Sequence, residues 1–555
     1  MATSYIDSEN DQVEVVPARP SIFFIFLLAF FPIFLFSESW AEKTLSEMTL
    51  DQKIGQIFMP PLCPLRGDDH LADWTYLSSR FHIGNAILKH SDPLTQVKLL
   101  NQLQDASKLP LLIAADAEWG LAMRMKDTIA FPKNRTLGSI ENLDLIFDLG
   151  VEMGRQAKRV GIHMNLAPVS DVNTNPDNPI IGMRSFGEDP YRVAQYVSAI
   201  IQGMQSVGIL ACAKHFPGHG DTSIDSHRAL PYVAHSRKRL EEVEFVPFKM
   251  AISNGVSSIM SAHLLVRAID SERPATLSAP CLTGVLREDL HFDGLIVSDA
   301  LNMKALSQTP EEIAVMAFQA GCDLLLYGDH LAPNIDKILQ EDVPKAWAAL
   351  KKGFEDGTLS LKQLDASVAR ILREKERLGL HFSAKVEVEG LLETLKTSEA
   401  LSLKKRLFKE AISVQGELLP LPQKTAYLDI GGKDESSKEF DAVFSISPKL
   451  EVAERLRLVQ ELEEFDAVVI AIHHFMPQEE NYGFSKDCIE LVRSFPEGIL
   501  CLFTTPYLAP MFSHPGPILI GFENDSDAQE AVCDILQGRE SPKGLCQISE
   551  IFFEK

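Results

Sequence analysis

The sequence predicts an α/β protein in which a (β/α)8 TIM-like barrel is followed by a smaller α/β sandwich. Three observations carry this. Eight short apolar runs recur with amphipathic helical stretches between them, the alternation of a parallel sheet with crossover helices, and roughly 340 residues hold them, as one such barrel requires. Polar residues cluster at the carboxyl ends of these runs, the end on which barrel enzymes build their sites. Beyond a charged connector the rhythm changes, and a second set of strands and helices begins.

The eight runs are Ile54–Met59, Asn85–Leu88, Leu111–Asp116, His163–Ala167, Leu210–His215, Ser258–Ala262, Gly294–Ser298 and Asp323–Tyr327. Asp116, Asp171, Lys214 with His215, His263 and Asp299 stand at or just past their ends. The helical stretch Leu361–Leu378 closes the barrel, which is assigned residues 42–380. An irregular linker is expected over 381–410, and the sandwich over 411–555. There, Ala426–Ile430, Ala442–Ile446, Ala467–Ile472, Ile499–Phe503 and Ile518–Gly521 are strands, and Val452–Glu463, Lys486–Arg493 and Asp527–Leu536 are helices. Gly431-Gly432 follows the first of these strands without a G-x-G-x-x-G, so dinucleotide binding is not supported.

The amino terminus precedes this pattern. Ser21 to Phe36 is an apolar run of signal-peptide length, short for a membrane span of roughly 20 residues. Ser39-Trp40-Ala41 offers the small residues that a signal peptidase needs. Residues 1–41 are expected to be a signal peptide cleaved after Ala41. The alternative is an uncleaved anchor, because Asp7, Glu9, Asp11 and Glu14 outnumber Arg19 ahead of the run. Either puts the body of the chain outside the cytoplasm, periplasmic or secreted, with a membrane met only through the anchor.

Composition narrows the function classes. Hydrophobic residues make up 45% and charged residues 23% of the 555, ordinary for a globular chain. The formal charge of −24 argues against nucleic acid as a partner. The 8 cysteines are scattered with no C-x-x-C pair, so neither a zinc site nor a disulfide scaffold is expected, and buried free thiols are.

The chemistry concentrates in Lys214 to His227, KHFPGHGDTSIDSH, which holds three histidines, one lysine and two aspartates around Pro217, Gly218 and Gly220. A Gly-rich backbone carrying His and Lys at a barrel mouth suits a loop over a polar ligand. A metal is a rival reading, since His215, His219, Asp221, Asp225 and His227 could be ligands, but their spacing matches no motif such as H-E-x-x-H. Asp225 and His227 are two apart, so the carboxylate can hold one imidazole nitrogen and leave the other as a general acid/base near neutral pH. Asp299, leaving the apolar run Gly294–Ser298, could be a nucleophile, stabilise a cation, or cap a helix. Asp116 and Arg124 in DAEWGLAMR, Arg184 in RSFGEDP, and Lys214-His215 add the dense mixed donors and acceptors that sugar hydroxyls require.

With KHFPGHG followed by DSH, RSFGEDP and SDALNM, the chain from about Thr44 onward resembles glycoside hydrolase family 3, and within it the bacterial β-N-acetylglucosaminidase branch. The resemblance implies Asp299 as catalytic nucleophile, His227 as acid/base with Asp225 as its dyad partner, and Asp116, Arg124, Arg184, Lys214 and His215 as sugar-binding residues. It implies a retaining exo-β-N-acetylglucosaminidase that acts on peptidoglycan-type or chitin-like fragments through a covalent glycosyl-enzyme, with no cofactor and no metal. A β-N-acetylglucosaminide phosphorylase or a β-glucosidase of the same family are alternatives. A non-catalytic cell-envelope sugar-binding protein is the alternative from another class. Two departures stand out. The family's D-Q-E-G-G-R-V pattern reads Asp116-Ala117-Glu118-Trp119-Gly120-Leu121-Ala122, losing an arginine, and Ala300 follows Asp299 where a second aspartate is common.

Overall fold

The computed structural model describes residues 38–226, 228–328, 334–432, 435–477 and 479–545. The apolar run Ser21–Phe36 and His227 lie outside them.

The eight expected strands form one closed parallel ring. The first runs through Phe58–Met59 and, past Pro60, Pro61–Leu62; Pro61 pairs with Ile87 on one side and Phe58 with Leu325 on the other. The ring continues through Asn85–Leu88, Leu112–Ala115, Met164–Asn165, Leu210–Phe216, Ser258–Ser261 and Leu295–Val297, each strand parallel to the next. A bridge between Val297 and Leu324 joins the seventh strand to Leu325–Leu326 and closes it. These strands are buried throughout, which is why they read as continuous apolar runs and not as alternating ones. The intervening helices are Gly67–Phe81, Pro93–Ala106, Leu143–Arg159, Pro190–Ser206, Phe245–Ser253, the helical segment Pro280–Asp289, and Pro310–Ala320. Several start on side-chain caps, as Asp92, Asn142, Asp189 and Thr309 accept bonds from amide groups of the first turn.

The floor of the barrel is held by a lysine. Lys375, on the closing helix Leu361–Arg377, is fully buried and donates to Gln56 Oε1 (2.7 Å) and to the Gly84 carbonyl (2.8 Å). Burial, with no carboxylate to offset it, pushes this amine down to about 7. His163, buried just before the fourth strand, accepts from the Ile113 amide and is itself pushed down to about 3, by burial first and then by the Lys375 charge.

The compact body begins at Trp40, two residues ahead of the expected boundary. Helix Trp40–Glu47 docks on the closing helix, with the Trp40 amide donating to Glu376 (2.7 Å), the Trp40 ring on His381 (5.2 Å), and Ala41 buried.

The second sheet has the order Ser413–Gln415, Ile518–Ile520, Ile499–Leu502, Ala467–Ile472, Thr425–Ile430, Ala442–Ile446. Its first strand is antiparallel and the rest parallel. Apolar cores form on both faces: Leu428, Ile470 and Leu500 on one, Tyr427, Val469 and Cys501 on the other. Helices Val452–Leu462 and Lys486–Arg493 cover the first face, and Ser526–Leu536 the second.

The irregular linker over 381–410 is corrected. Thr397 caps a helix, Ser398–Ala411, that buries Ala400, Leu407, Phe408 and Ala411. Its charges are one half of an ion-pair seam: Lys404 meets Asp525 (2.9 Å) and Asp527 (3.1 Å), Lys405 meets Glu530 (2.6 Å), and Lys409 meets Asp534 (3.4 Å). Of the cysteines, Cys212, Cys281, Cys322 and Cys488 are buried free thiols, Cys63 is partly buried and also free, Cys501 and Cys533 are buried, and Cys546 lies outside the described residues.

Lys375 makes a pH test of the barrel floor. Its folded pKa is depressed, so the penalty is fully present below pH 7 and is relieved as pH rises towards the unfolded value. Between pH 7 and 9.5 this residue should add about 3 kcal/mol to the unfolding free energy. Urea unfolding of the wild type against Lys375→Met at both pH values checks this: the variant should lack that part of the rise.

Candidate active site

Four barrel strands, through Ile87, Lys214 with His215, Met260 and Leu326, and residues just past three others line one pocket of about 270 Å³ at the carboxyl end of the ring. That is near the lower end of the roughly 300–1,000 Å³ of small-molecule sites, a size for a single sugar ring. Its walls include Asp116, Arg124, Arg184, Lys214, His215 and Asp299, six of the residues expected from the sequence.

The pocket floor is an ion network. Lys214, at the end of the fifth strand, lies between Asp116 Oδ1 (3.0 Å) and Glu118 Oε1 (2.9 Å). Arg124 donates to the other Asp116 oxygen (2.8 Å). Arg184 forks onto Glu118, Nη2 to Oε1 at 2.8 Å and Nε to Oε2 at 3.0 Å, and its Nη1 donates to the Ile180 carbonyl (3.1 Å). Burial works to neutralise Glu118, but the Arg184 and Lys214 charges outweigh it and hold this carboxyl far below the usual carboxylate range. Burial likewise opposes the Lys214 charge, and Glu118 and Asp116 reverse that and hold the amine above its ordinary value.

A second set of bonds fixes the histidines. Asp171 is buried past the fourth strand; its Oδ2 meets His215 Nδ1 (2.8 Å), and its Oδ1 accepts from the amides of His215 (3.3 Å) and His219 (2.7 Å). Burial would raise Asp171, but His215 and His219 together bring it below its ordinary value. His215 Nε2 is thereby presented 3.4 Å from Arg184 Nη2. His219 sits between Thr222 Oγ1 (2.6 Å) and Ser226 Oγ (3.2 Å), and burial pushes it down to about 4, so it is neutral at neutral pH. The glycines of this loop have specific reasons. A Cβ on Gly220 would lie 1.8 Å from the Val172 carbonyl, and Gly218 has φ +132° against Glu244.

Asp299 follows the seventh strand, half-buried, with Oδ1 accepting from the Ala300 amide (2.7 Å). It is not a helix cap: the next helix, Pro310–Ala320, is capped by Thr309. Asp225 does not line the pocket, although its neighbour Ser226 does. Its carbonyl accepts from the Arg228 and Ala229 amides, and its carboxylate is 3.8 Å from Arg228. Among the described residues no group of three His, Cys, Asp or Glu is placed to hold a metal ion. The sequence marks Asp171 only as a polar residue past a strand and gives no sign of Glu118. Glu118 stands in the same DAEWGLAMR segment as Asp116, but nothing in its spacing marks it; its role appears when Arg184 and Lys214 converge on it.

Comparisons with known proteins identify the family of the chain. The model of the Glycosyl hydrolase family 3 N terminal domain matches residues 49–374. The chain is 34% identical over 329 residues to Beta-hexosaminidase A of Pseudoalteromonas piscicida, covering 54% of this chain and 54% of that protein. It is 30% identical over 364 residues to a Beta-N-acetylglucosaminidase/beta-glucosidase of Cellulomonas fimi, covering 63% of this chain and 62% of that one. The match thus spans less than two thirds of the length of either relative. The structure of a glycoside hydrolase family 3 beta-N-acetylglucosaminidase from Paenibacillus sp. str. FPU-7 superposes with a TM-score of 0.76 at 30% identity, covering 90% of this chain and 98% of that one.

The network predicts the cost of removing its centre. Glu118→Gln takes from Arg184 the carboxylate it forks onto and leaves Lys214 with Asp116 alone, so denaturant unfolding at neutral pH should show a loss of about 2–3 kcal/mol. An unchanged midpoint would mean that the network does not hold the pocket.

Proposed function

Because the chain belongs to glycosyl hydrolase family 3, we propose that it is a retaining exo-β-N-acetylglucosaminidase that removes terminal β-linked N-acetylglucosamine through a covalent glycosyl-enzyme. The observation that carries this is a single-sugar pocket in which the Asp299 carboxylate and the held side chains of Arg124, Arg184, Lys214 and His215 share one wall system. Asp299 attacks the anomeric carbon as the glycosidic bond breaks, and His227 gives its proton to the leaving oxygen. His227 then takes a proton from water, which attacks the same carbon and releases Asp299. Asp225 is the positioning partner of His227. The three cations of the network, Arg124, Arg184 and Lys214, share the two carboxylates of Asp116 and Glu118 and are held in place to orient sugar hydroxyls.

The apolar run at Ser21–Phe36 supports an exported location, and with it peptidoglycan-type or chitin-like fragments as substrates. Hydrolysis of an aryl β-N-acetylglucosaminide beside an aryl β-glucoside, each with and without phosphate, tests the reading. The first should be cleaved faster, with water as acceptor. Preference for the glucoside, or dependence on phosphate, overturns it in favour of the two family alternatives.

The roles separate in mutants. Asp299→Asn should lose activity by several powers of ten while remaining folded, and a 2-fluoro sugar inactivator should label Asp299 in the wild type. His227→Ala should keep much of its glycosylation rate on a dinitrophenyl glycoside, lose it on a disaccharide, and regain turnover with azide as a β-glycosyl azide. A label on another carboxylate, or a His227→Ala variant with equal losses on all substrates and no azide rescue, contradicts the assignment.

A further inference from the structure

His263 stands two residues past the sixth strand, Ser258–Ser261, and does not line the pocket. It is fully buried. A buried imidazole is costly unless its nitrogens are hydrogen-bonded, and both of these are. Nδ1 meets Thr276 Oγ1 (2.9 Å), and Nε2 meets the Ala300 carbonyl (2.9 Å). A carbonyl only accepts, which assigns the hydrogen to Nε2 as donor. Thr276, also buried, is anchored to the end of the same strand. Its hydroxyl is 2.9 Å from Ser261 Oγ, and its amide donates to the Ala262 carbonyl (3.3 Å).

The acceptor gives this ring its importance. Ala300 directly follows Asp299. Its amide donates to Asp299 Oδ1 (2.7 Å), and its carbonyl takes the His263 bond. The residue is therefore gripped on one side by the carboxylate and on the other by the end of the sixth strand. The rest of the turn is tied to the eighth strand and the residues after it. There the Leu301 amide donates to the Leu326 carbonyl (2.9 Å), and Asn302 Oδ1 accepts from the Gly328 amide (2.9 Å). Ala300 has no polar side chain with which to fix the turn, so bonds to its backbone do so. An apolar side chain could fill the space of the imidazole but could not aim the Ala300 carbonyl. The ring donor sets where that carbonyl points, and with it the Ala300 amide that holds Asp299.

We propose that His263 is a positioning residue for the nucleophile: through Ala300 it fixes the direction in which the Asp299 carboxylate faces the anomeric carbon. Thr276 holds the ring in the angle that this requires. The inference rests on the hydrolase reading above, with Asp299 as the attacking group.

The test isolates the attack of Asp299. With a 2-fluoro glycosyl fluoride, the carboxylate bonds to the anomeric carbon and fluoride leaves without needing a proton. The inactivation constants kinact and KI are measured on the full-length protein, with near-UV circular dichroism as a check on folding. His263→Leu should lower kinact by about a hundredfold, the scale of a misplaced reacting group, and leave KI within about twofold. His263→Gln, whose side-chain amide can donate to the same carbonyl, should recover kinact to within about fivefold of wild type. Thr276→Val, which keeps the shape and removes the hydroxyl, should lower kinact by about tenfold, and it decides the matter if His263→Leu fails to fold. Wild-type kinact in a folded His263→Leu or Thr276→Val variant overturns the positioning role. So does a His263→Gln variant as slow as His263→Leu, which would assign the loss to packing of the ring. Wild-type protein that hydrolyses substrate but is labelled at a residue other than Asp299 overturns the nucleophile assignment, and this inference with it.

Discussion

The Glu118 carboxylate is the constraint on which the pocket depends. It is buried with its charge kept, a state that costs several kcal/mol unless cations and hydrogen bonds offset it. Arg184 arrives from the loop after the fourth strand and Lys214 from the fifth, so the offset exists only when the loops after the third and fourth strands and the fifth strand are seated together. Lys214 then ties in Asp116, and Asp116 holds Arg124. Leu121 stands where the family pattern has an arginine, yet Arg124 still reaches Asp116. The pocket is therefore lined by charges that are largely satisfied before substrate enters, a preorganised array of the kind that costs little reorganisation during reaction.

The same logic separates the two ends of the barrel. At the carboxyl end, cations and carboxylates are paired and stay charged. At the floor, Lys375 has only neutral acceptors, and burial drives its amine towards neutrality. One end is built for a polar ligand, and the other closes the ring between the first two strands and the last helix.

The second domain is part of the site's support. Glu523 accepts from Thr136 Oγ1 (2.6 Å) and the Lys133 amide (2.7 Å), and Met183 from the barrel packs on the second domain's core. With Asn173 on Tyr507 and Asp177 on Tyr482, these contacts brace the barrel loop that carries Arg184. The loop that carries His219 is braced from the barrel side, since Asp171 accepts the His219 amide and the His219 carbonyl accepts from Asn178 Nδ2 (2.9 Å).

The sequence by itself determined the eight barrel strands and the residues at their carboxyl ends, because a parallel strand buried on both faces leaves a continuous apolar run and the polar residue that ends it is visible in one dimension. That made Asp116, Lys214, His215 and Asp299 legible, and the local motifs made Arg124 and Arg184 so. Tertiary structure alone decided what depends on which strands and loops become neighbours. Glu118 finds Arg184 across 66 residues and Asp171 finds His215 across 44, and no local period records such pairs. The run 381–410 reads as an irregular charged linker because half of its helix is specified elsewhere: its lysines are matched by acids on Ser526–Leu536, more than 100 residues on. The cleft that Trp119 and Tyr482 line is likewise silent in the sequence, since the two come together only where the barrel and the second sheet's core meet.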